Sequence, residues 1–409
     1  MRANPILAAL ALAVAGIPNP ASARPSLWVD AWAAAPDRVG PAMEPGTIRQ
    51  VVRLSAGGTR VRIRLSNLLG KTPLTMGPVE LARSAGGSKI APAGRAVVTF
   101  GGNATVTIPK GKEVLSDPVA FATGPLEPVA VSLFLPSGSQ SPTVHGVGLT
   151  TAFRAKGHGI SASAFPTEGS TRGRVFLTDV EVEARAGTGT LVLLGDSITD
   201  GVGSTFDKDA RWPDVLAARL QGDSKLAFIA LANAGISGNR ILNDGAAPFI
   251  GPSAIARFGR DVGRKPGVRW VLLFEGINDI SAAGILNTRR DDVSAAQIIA
   301  GMKALVDRAH KRGIATFGAT LLPTGGMGRP SETPAGEVKR QAVNHWIREG
   351  GGFDAVVDLD AALRDPLQPG RLRPEFDSGD HLHPNDRGHE TIADAVYARL
   401  LSDLRGSGR

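Results

Sequence analysis

The chain has 409 residues, with 46 Lys+Arg against 38 Asp+Glu, 42% hydrophobic residues, 51 Gly, 28 Pro and no Cys. It is too long for one ordinary domain and too apolar for a disordered chain, so two domains are expected. The absence of cysteine excludes a disulfide framework, a thiolate nucleophile, a Cys-ligated zinc and an iron–sulfur cluster, which leaves oxygen or lysine as nucleophile.

The chain has a short basic start at Met1-Arg2, an apolar run from Ile6 to Ile17 and the small-x-small site Ala21-Ser22-Ala23. This pattern predicts a signal peptide over residues 1–23, and therefore a secreted or periplasmic protein. A membrane helix needs ~20 apolar residues. Pro18 and Pro20 cut this run short and no later stretch is long enough, so no stable membrane insertion is expected.

From 24 to 185 the apolar pattern has a period of two. Val61, Ile63 and Leu65 alternate with Arg60, Arg62 and Arg64. They follow Ile48 to Leu54 across Ala56-Gly57-Gly58, which predicts a β-hairpin. Further strands are expected at Val97–Phe100, Ala104–Ile108, Val129–Leu135, Thr143–Phe153 and Val175–Val182, giving an all-β sandwich as an accessory domain. A linker is placed at Ala184–Thr190, with Gly187 and Gly189.

From 186 to 409 the rhythm changes. Apolar runs at Leu191–Leu194, Leu226–Ala232, Trp270–Phe274, Ile314–Leu321 and Ala355–Leu359 alternate with helical patterns at Trp212–Leu220, Ser253–Val262, Ser294–Arg312, Gly336–Glu349 and Gly388–Leu404. Strands alternating with helices predict a doubly wound, mostly parallel sheet, whose ligands bind beyond the carboxyl ends of the strands. The segments that follow the strands are polar: Gly195-Asp196-Ser197, Ser237-Gly238-Asn239, Gly276-Ile277-Asn278-Asp279, and Asp380-His381-Leu382-His383.

These four segments contain what acyl transfer requires. Ser197 is the candidate nucleophile at a tight strand-to-helix turn. His383 is the candidate base, and Asp380 can hold its tautomer. The Ser197 and Gly238 backbone N–H groups and the Asn278 amide are candidate donors to an oxyanion. In order and placement the four blocks resemble the SGNH hydrolase family, also called GDSL esterases and lipases, over roughly residues 190–405. Ile198 stands where the family name has Leu. The resemblance implies a flavodoxin-like three-layer α/β/α domain that hydrolyses esters without cofactor or metal. It also implies a Ser197, Asp380, His383 triad and an oxyanion hole of Ser197, Gly238 and Asn278.

Other readings of the same residues are plainer. Asp-Ser-Ile-Thr after a strand is a common helix N-cap, and Asp196 reads as structural. His381 and His383 form a His-x-His pair, but the sequence offers no third metal ligand nearby that the esterase reading does not already use. His389 reads as a packing or surface residue of the last helix, and His145, His158, His310 and His345 carry no partner signal. Gly70-Lys71-Thr72 fails as a phosphate loop because Leu65 stands where its first Gly is needed, and no nucleic-acid partner is expected.

The expected function is a secreted serine esterase acting on short-chain O-acyl (acetyl) groups of a carbohydrate, small or polymeric. A lysophospholipase or thioesterase of the same mechanism is the alternative. A catalytically inactive carbohydrate-binding surface protein is the rival from another class. The loops Leu242–Pro252 and Leu322–Pro334 are expected to wall the site. Charge divides unevenly, with 19 Lys+Arg against 11 Asp+Glu in residues 1–185 and 27 against 27 thereafter. Basicity is therefore a property of the β domain. The Arg60, Arg62 and Arg64 face is either an ordinary solvated strand face or a contact for acidic polysaccharide.

Overall fold

The computed structural model describes residues 27–404 except 167–168, 246, 248–249, 287, 327, 329 and 350–351. The expected signal peptide lies outside the described residues. Among them, no helix is long and apolar enough to cross a membrane.

The first half is all β. One sheet runs Leu27–Ala33, Leu177–Ala184, Gly58–Ser66, Val119–Thr123, with Glu113–Leu115 also paired to Gly58–Ser66. A six-stranded sheet runs Thr171–Arg172, Thr151–Lys156, Gly46–Arg53, Pro128–Leu135, Val79–Ser84, Ile90–Val98. Val61, Ile63 and Leu65 from the first sheet and Val129, Val131 and Leu133 from the second are fully buried in one shared core, as strict alternation demands.

Two sequence expectations fail here for identifiable reasons. The Ile48–Leu54 and Arg60–Leu65 runs are not a hairpin, because they belong to different sheets. Leu54 N–H donates to the Glu127 carbonyl and Ser55 N–H to that of Ala31, which carries the chain from one sheet to the other. The single strand expected over Thr143–Phe153 is two strands, Thr143–His145 and Thr151–Lys156. Between them lies a loop in which Leu149 has φ +48°. That loop carries Val147, which lines the cleft that also holds Ser197 and His383.

The arginine stripe is internally matched. Arg60 pairs with Glu183 at 2.5 Å, Arg62 with Glu181, and Arg64 with Asp179 at 3.2 Å and Glu181 at 3.1 Å. Arg62 also lies 4.2 Å over the Trp28 ring. The acidic residues all come from Leu177–Ala184, the strand next to the arginines in the sheet, where cross-strand neighbours meet. An acidic polymer would have to compete with these carboxylates.

The second half is a five-stranded parallel sheet in the order Ile229–Gly235, Gly189–Gly195, Val268–Phe274, Ala315–Ala319, Ala355–Val357. Its helices are α1 (Ser197–Asp200), α2 (Trp212–Gly222), α3 (Ala254–Asp261), α4 (Ile277–Leu286), α5 (Ala295–His310), α6 (Pro334–Arg348), α7 (Leu359–Leu363) and α8 (Asp386–Leu404). Leu191 and Leu193 of the first strand face α2 and α8 through Trp212, Leu216 and Val396. Val192 and Leu194 face α3, α5 and α6 through Phe258, Met302 and Val343. A strand buried on both faces reads as a continuous apolar run, which is why the sequence located all five strands. Helix α4 was not expected, since the segment after Phe274 reads as a polar loop.

The two halves are joined tightly. Asp30 N–H donates to Thr190 Oγ1 at 3.0 Å, and Ser55 Oγ both donates to the Leu231 carbonyl and accepts from Leu231 N–H. Lys265 is buried between Asp30, 2.9 Å away, and Asp179. The expected linker is a short turn between the Leu177–Ala184 and Gly189–Gly195 strands, pinned on both sides.

Candidate active site

The Gly189–Gly195 strand lies between the second and third strands of its domain, so its carboxyl end is the switch point of the sheet, where a crevice opens. The chain turns there into the four-residue α1. Asp196 caps it by accepting the Ile198 N–H at 3.1 Å, the structural role expected of this residue. Ser197 is thereby fixed at the first position of the turn, with its hydroxyl facing the crevice.

The loop before α8 supplies the other two groups. His383 Nε2 lies 2.8 Å from Ser197 Oγ, and His383 Nδ1 lies 2.5 Å from Asp380 Oδ2. The second Asp380 oxygen accepts the backbone N–H groups of Leu382 at 3.0 Å and His383 at 2.8 Å. Burial pushes the Asp380 pKa up, but the backbone and ring N–H of His383 outweigh it and hold the carboxyl down to about 2. An ionised Asp380 requires a proton on His383 Nδ1, which leaves Nε2 free to accept from the serine hydroxyl. The two loops touch where Gly203 meets His383: a Cβ at Gly203 would lie 2.2 Å from the Pro384 carbonyl. Thr205, two residues on, donates its N–H and hydroxyl to Asp386 at 2.7 and 2.6 Å.

Gly238 and Asn278 line the same cleft as Ser197 and His383. Gly238 has φ +76°, a left-handed conformation that favours glycine. Asn278 sits in the first turn of α4 and gives one N–H to the Asn239 carbonyl at 3.0 Å, which fixes the amide plane and leaves its second N–H to aim elsewhere. Asp279 ties the same helix back by accepting from Ile241 at 2.8 Å and Leu242 at 3.1 Å. All five residues expected at the site are thus brought together.

Residues 193–391 match the model of the GDSL-like lipase/acylhydrolase family. The α/β half of this chain is a GDSL-like lipase/acylhydrolase domain. Solved structures similar to it include an α/β hydrolase enzyme from the metagenome of Lake Arreo, Spain, at 26% identity over 52% of this chain and 95% of that one, with a TM-score of 0.40. Another is a catalytic variant of an acetylxylan esterase from Geobacillus stearothermophilus, at 25% identity over 53% of this chain and 95% of that one, with a TM-score of 0.40. The comparison with curated proteins found no match.

The cleft of the GDSL-like domain has a volume of about 400 Å³. Its walls are largely apolar, with Val202, Ile250, Ala282, Ile285, Leu286 and Leu382 from the α/β half. Ile250 falls in one of the two loops expected to wall the site; no described residue of the other, Leu322–Pro334, is among the lining residues. Sequence reasoning missed Arg38 and Val147, through which the β half completes the wall. Nothing local in the sequence marks them. Arg38 is held by a bidentate pair with Asp37 at 3.0 Å.

The remaining histidines are resolved by their partners. His381 Nδ1 lies 2.5 Å from Asp377, and among the described residues no group of three or more His, Asp or Glu could hold a metal ion. His389 is fully buried under α2, with Nδ1 accepting the Trp212 N–H, and burial pushes its pKa down to about 4. His310 has Asp354 at 2.9 Å, and His345 has Glu349 at 3.9 Å one turn on. His145, which carried no partner signal in the sequence, lies 2.9 Å from Asp200 of α1.

Beneath the site lies a buried acidic layer. Asp196 is pushed up to about 7, Glu275 to about 8 and Asp279 to about 6, in each case by burial first. Arg257 opposes the shift at Glu275 from 3.6 Å.

Proposed function

We propose that the chain is a serine esterase that cleaves carboxylic esters through an acyl-enzyme on Ser197. The observation that carries this reading is the continuous chain from Ser197 Oγ through His383 to Asp380, opening into the cleft lined by Gly238 and Asn278. As Ser197 Oγ attacks the carbonyl carbon, His383 Nε2 takes its proton, and the negative charge of Asp380 stabilises the resulting imidazolium. The carbonyl oxygen becomes an oxyanion, for which the N–H groups of Ser197 and Gly238 and the second Asn278 N–H are the donors. His383 then protonates the leaving alkoxide. Water, deprotonated by the same ring, attacks the acyl carbon and releases the acid.

The apolar walls favour an ester whose acyl chain is longer than acetyl. Ile250, Ile285 and Leu286 can shed water onto methylenes, whereas an acetyl group on a hydrated sugar would leave them uncovered. Each buried methylene contributes about 0.8 kcal/mol, roughly fourfold in kcat/KM. A series of p-nitrophenyl esters from acetate to decanoate tests this. Activity that rises at least tenfold from acetate to hexanoate supports the longer acyl chain. A profile that falls steadily from acetate supports the O-acetyl carbohydrate expected from the sequence. Export is proposed from the pattern of residues 1–23, and the N-terminal sequence of protein recovered outside the cytoplasm, expected to start at Arg24, checks it.

A further inference from the structure

The β half reaches the nucleophile turn through His145. His145 ends the Thr143–His145 strand and is buried. Its Nδ1 lies 2.8 Å from the Ala35 carbonyl and its Nε2 lies 2.9 Å from Asp200 Oδ1. A carbonyl and a carboxylate only accept, so both ring nitrogens carry hydrogen and the ring is an imidazolium. Burial pushes its pKa down, but Asp200 first and then Asp37, 4.0 Å away, more than compensate and raise it. Asp37 is itself held by Arg38 and by Gly146 N–H.

Asp200 is the last residue of α1, three residues after Ser197, and is buried. Its other oxygen accepts two bonds from Ser237, from the backbone N–H at 3.0 Å and from the hydroxyl at 2.6 Å. Ser237 directly precedes Gly238. One carboxylate therefore locks the turn bearing Ser197 to the turn bearing the Gly238 donor. His145 supplies the positive charge that pairs with this buried carboxylate. The same β loop is anchored nearby: Asp207 accepts from Thr151 N–H and hydroxyl at 2.7 and 2.6 Å, and Asp207 N–H donates to the Leu149 carbonyl.

We propose that His145 is a positioning residue supplied by the β half, which holds the Gly238 oxyanion donor in register with Ser197 through Asp200 and Ser237. This rests on the esterase reading above. The β half is then an integral wall of the active site and not a detachable appendage.

The test uses the full chain with His145→Gln, Asp200→Asn and the double variant. It measures kcat and KM on a p-nitrophenyl ester, Ki for a trifluoromethyl ketone whose hydrate oxygen occupies the oxyanion site, and Tm. Gln cannot reach both Asp200 and Ala35 and carries no charge. The expected result for His145→Gln is a kcat lower by roughly tenfold to a hundredfold, with KM within about twofold and the ketone Ki weakened by the same factor as kcat/KM. Asp200→Asn keeps both contacts to Ser237 and can donate to a neutral ring but loses the charge pair, so kcat and Ki should worsen by clearly less than in His145→Gln. In that background His145→Gln should add little, because the charge it serves is gone. Unchanged kcat and Ki in His145→Gln, or additive losses in the double variant, would overturn the proposal. Hydrolysis that survives Ser197→Ala would instead overturn the esterase reading, whatever His145 does.

Discussion

Glu275 is the buried group whose cost can be read most directly. It follows the Val268–Phe274 strand, is fully buried, and neither of its carboxylate oxygens has a hydrogen-bond partner among the described residues. Arg257 is 3.6 Å away, but its donors are directed to Asn239, to the Ala234 and Gly195 carbonyls and to Asp261. Burial therefore prevails, and the Glu275 pKa rises from 4.5 to about 8. A group whose pKa is raised on folding stabilises the native state fully below its unfolded value, and that contribution is lost as pH rises through the folded value. The loss is about 1.4 kcal/mol per pH unit between about 4.5 and 8, on the order of 3 kcal/mol by pH 7 and 5 kcal/mol by pH 9. Glu275→Gln removes the titration. Urea unfolding of both proteins at pH 5, 7 and 9 should show the variant gaining on wild type by several kcal/mol across that range, with most of the gain reached by pH 8. Asp196 and Asp279 titrate in both proteins, so their own contribution largely cancels in the difference. Parallel stability curves from pH 5 to 9 would refute the reasoning, since they would mean that Glu275 ionises normally in the native state.

Two further outcomes follow from the geometry. Asn278→Ala removes a proposed oxyanion donor without opening the core, so kcat should fall about a hundredfold to a thousandfold while KM and Tm stay close to wild type; steady-state kinetics and a thermal melt check both halves. Lys265→Met leaves Asp30 without its cation at the junction of the two halves, with Arg64 still beside Asp179. This should cost about 3–5 kcal/mol, read as a lower denaturation midpoint.

The catalytic half was legible because its chemistry is local in sequence and its strands are buried on both faces. Each polar block follows an apolar run, and parallel α/β topology carries all four to one edge of the sheet. Helix α4 escaped notice because its first turn contains Asn278 and Asp279, residues that suit a loop as well as a helix start. The β half was legible as β structure, but its strands Leu27–Ala33, Val79–Ser84 and Val119–Thr123 were not expected, and neither were the pairings. Gly46–Arg53 and Gly58–Ser66 are adjacent in sequence yet lie in different sheets, because Leu54 and Ser55 bond to strands that come from elsewhere in the chain. The same limit hid the function of His145, whose carboxylate partner lies 55 residues away, and the neutrality of the Arg60, Arg62 and Arg64 stripe, whose partners lie more than a hundred residues on. Long-range charge pairing leaves no local periodicity to read.

The central claim is that Ser197 is a nucleophile activated by His383. The most direct measurement treats purified protein with a fluorophosphonate and records intact mass, then locates the label by peptide mapping. The account predicts one phosphonyl group on Ser197 in wild type, and neither label nor ester hydrolysis in Ser197→Ala, whose Tm stays close to wild type. Labelling at another residue, or turnover retained by folded Ser197→Ala, would contradict it.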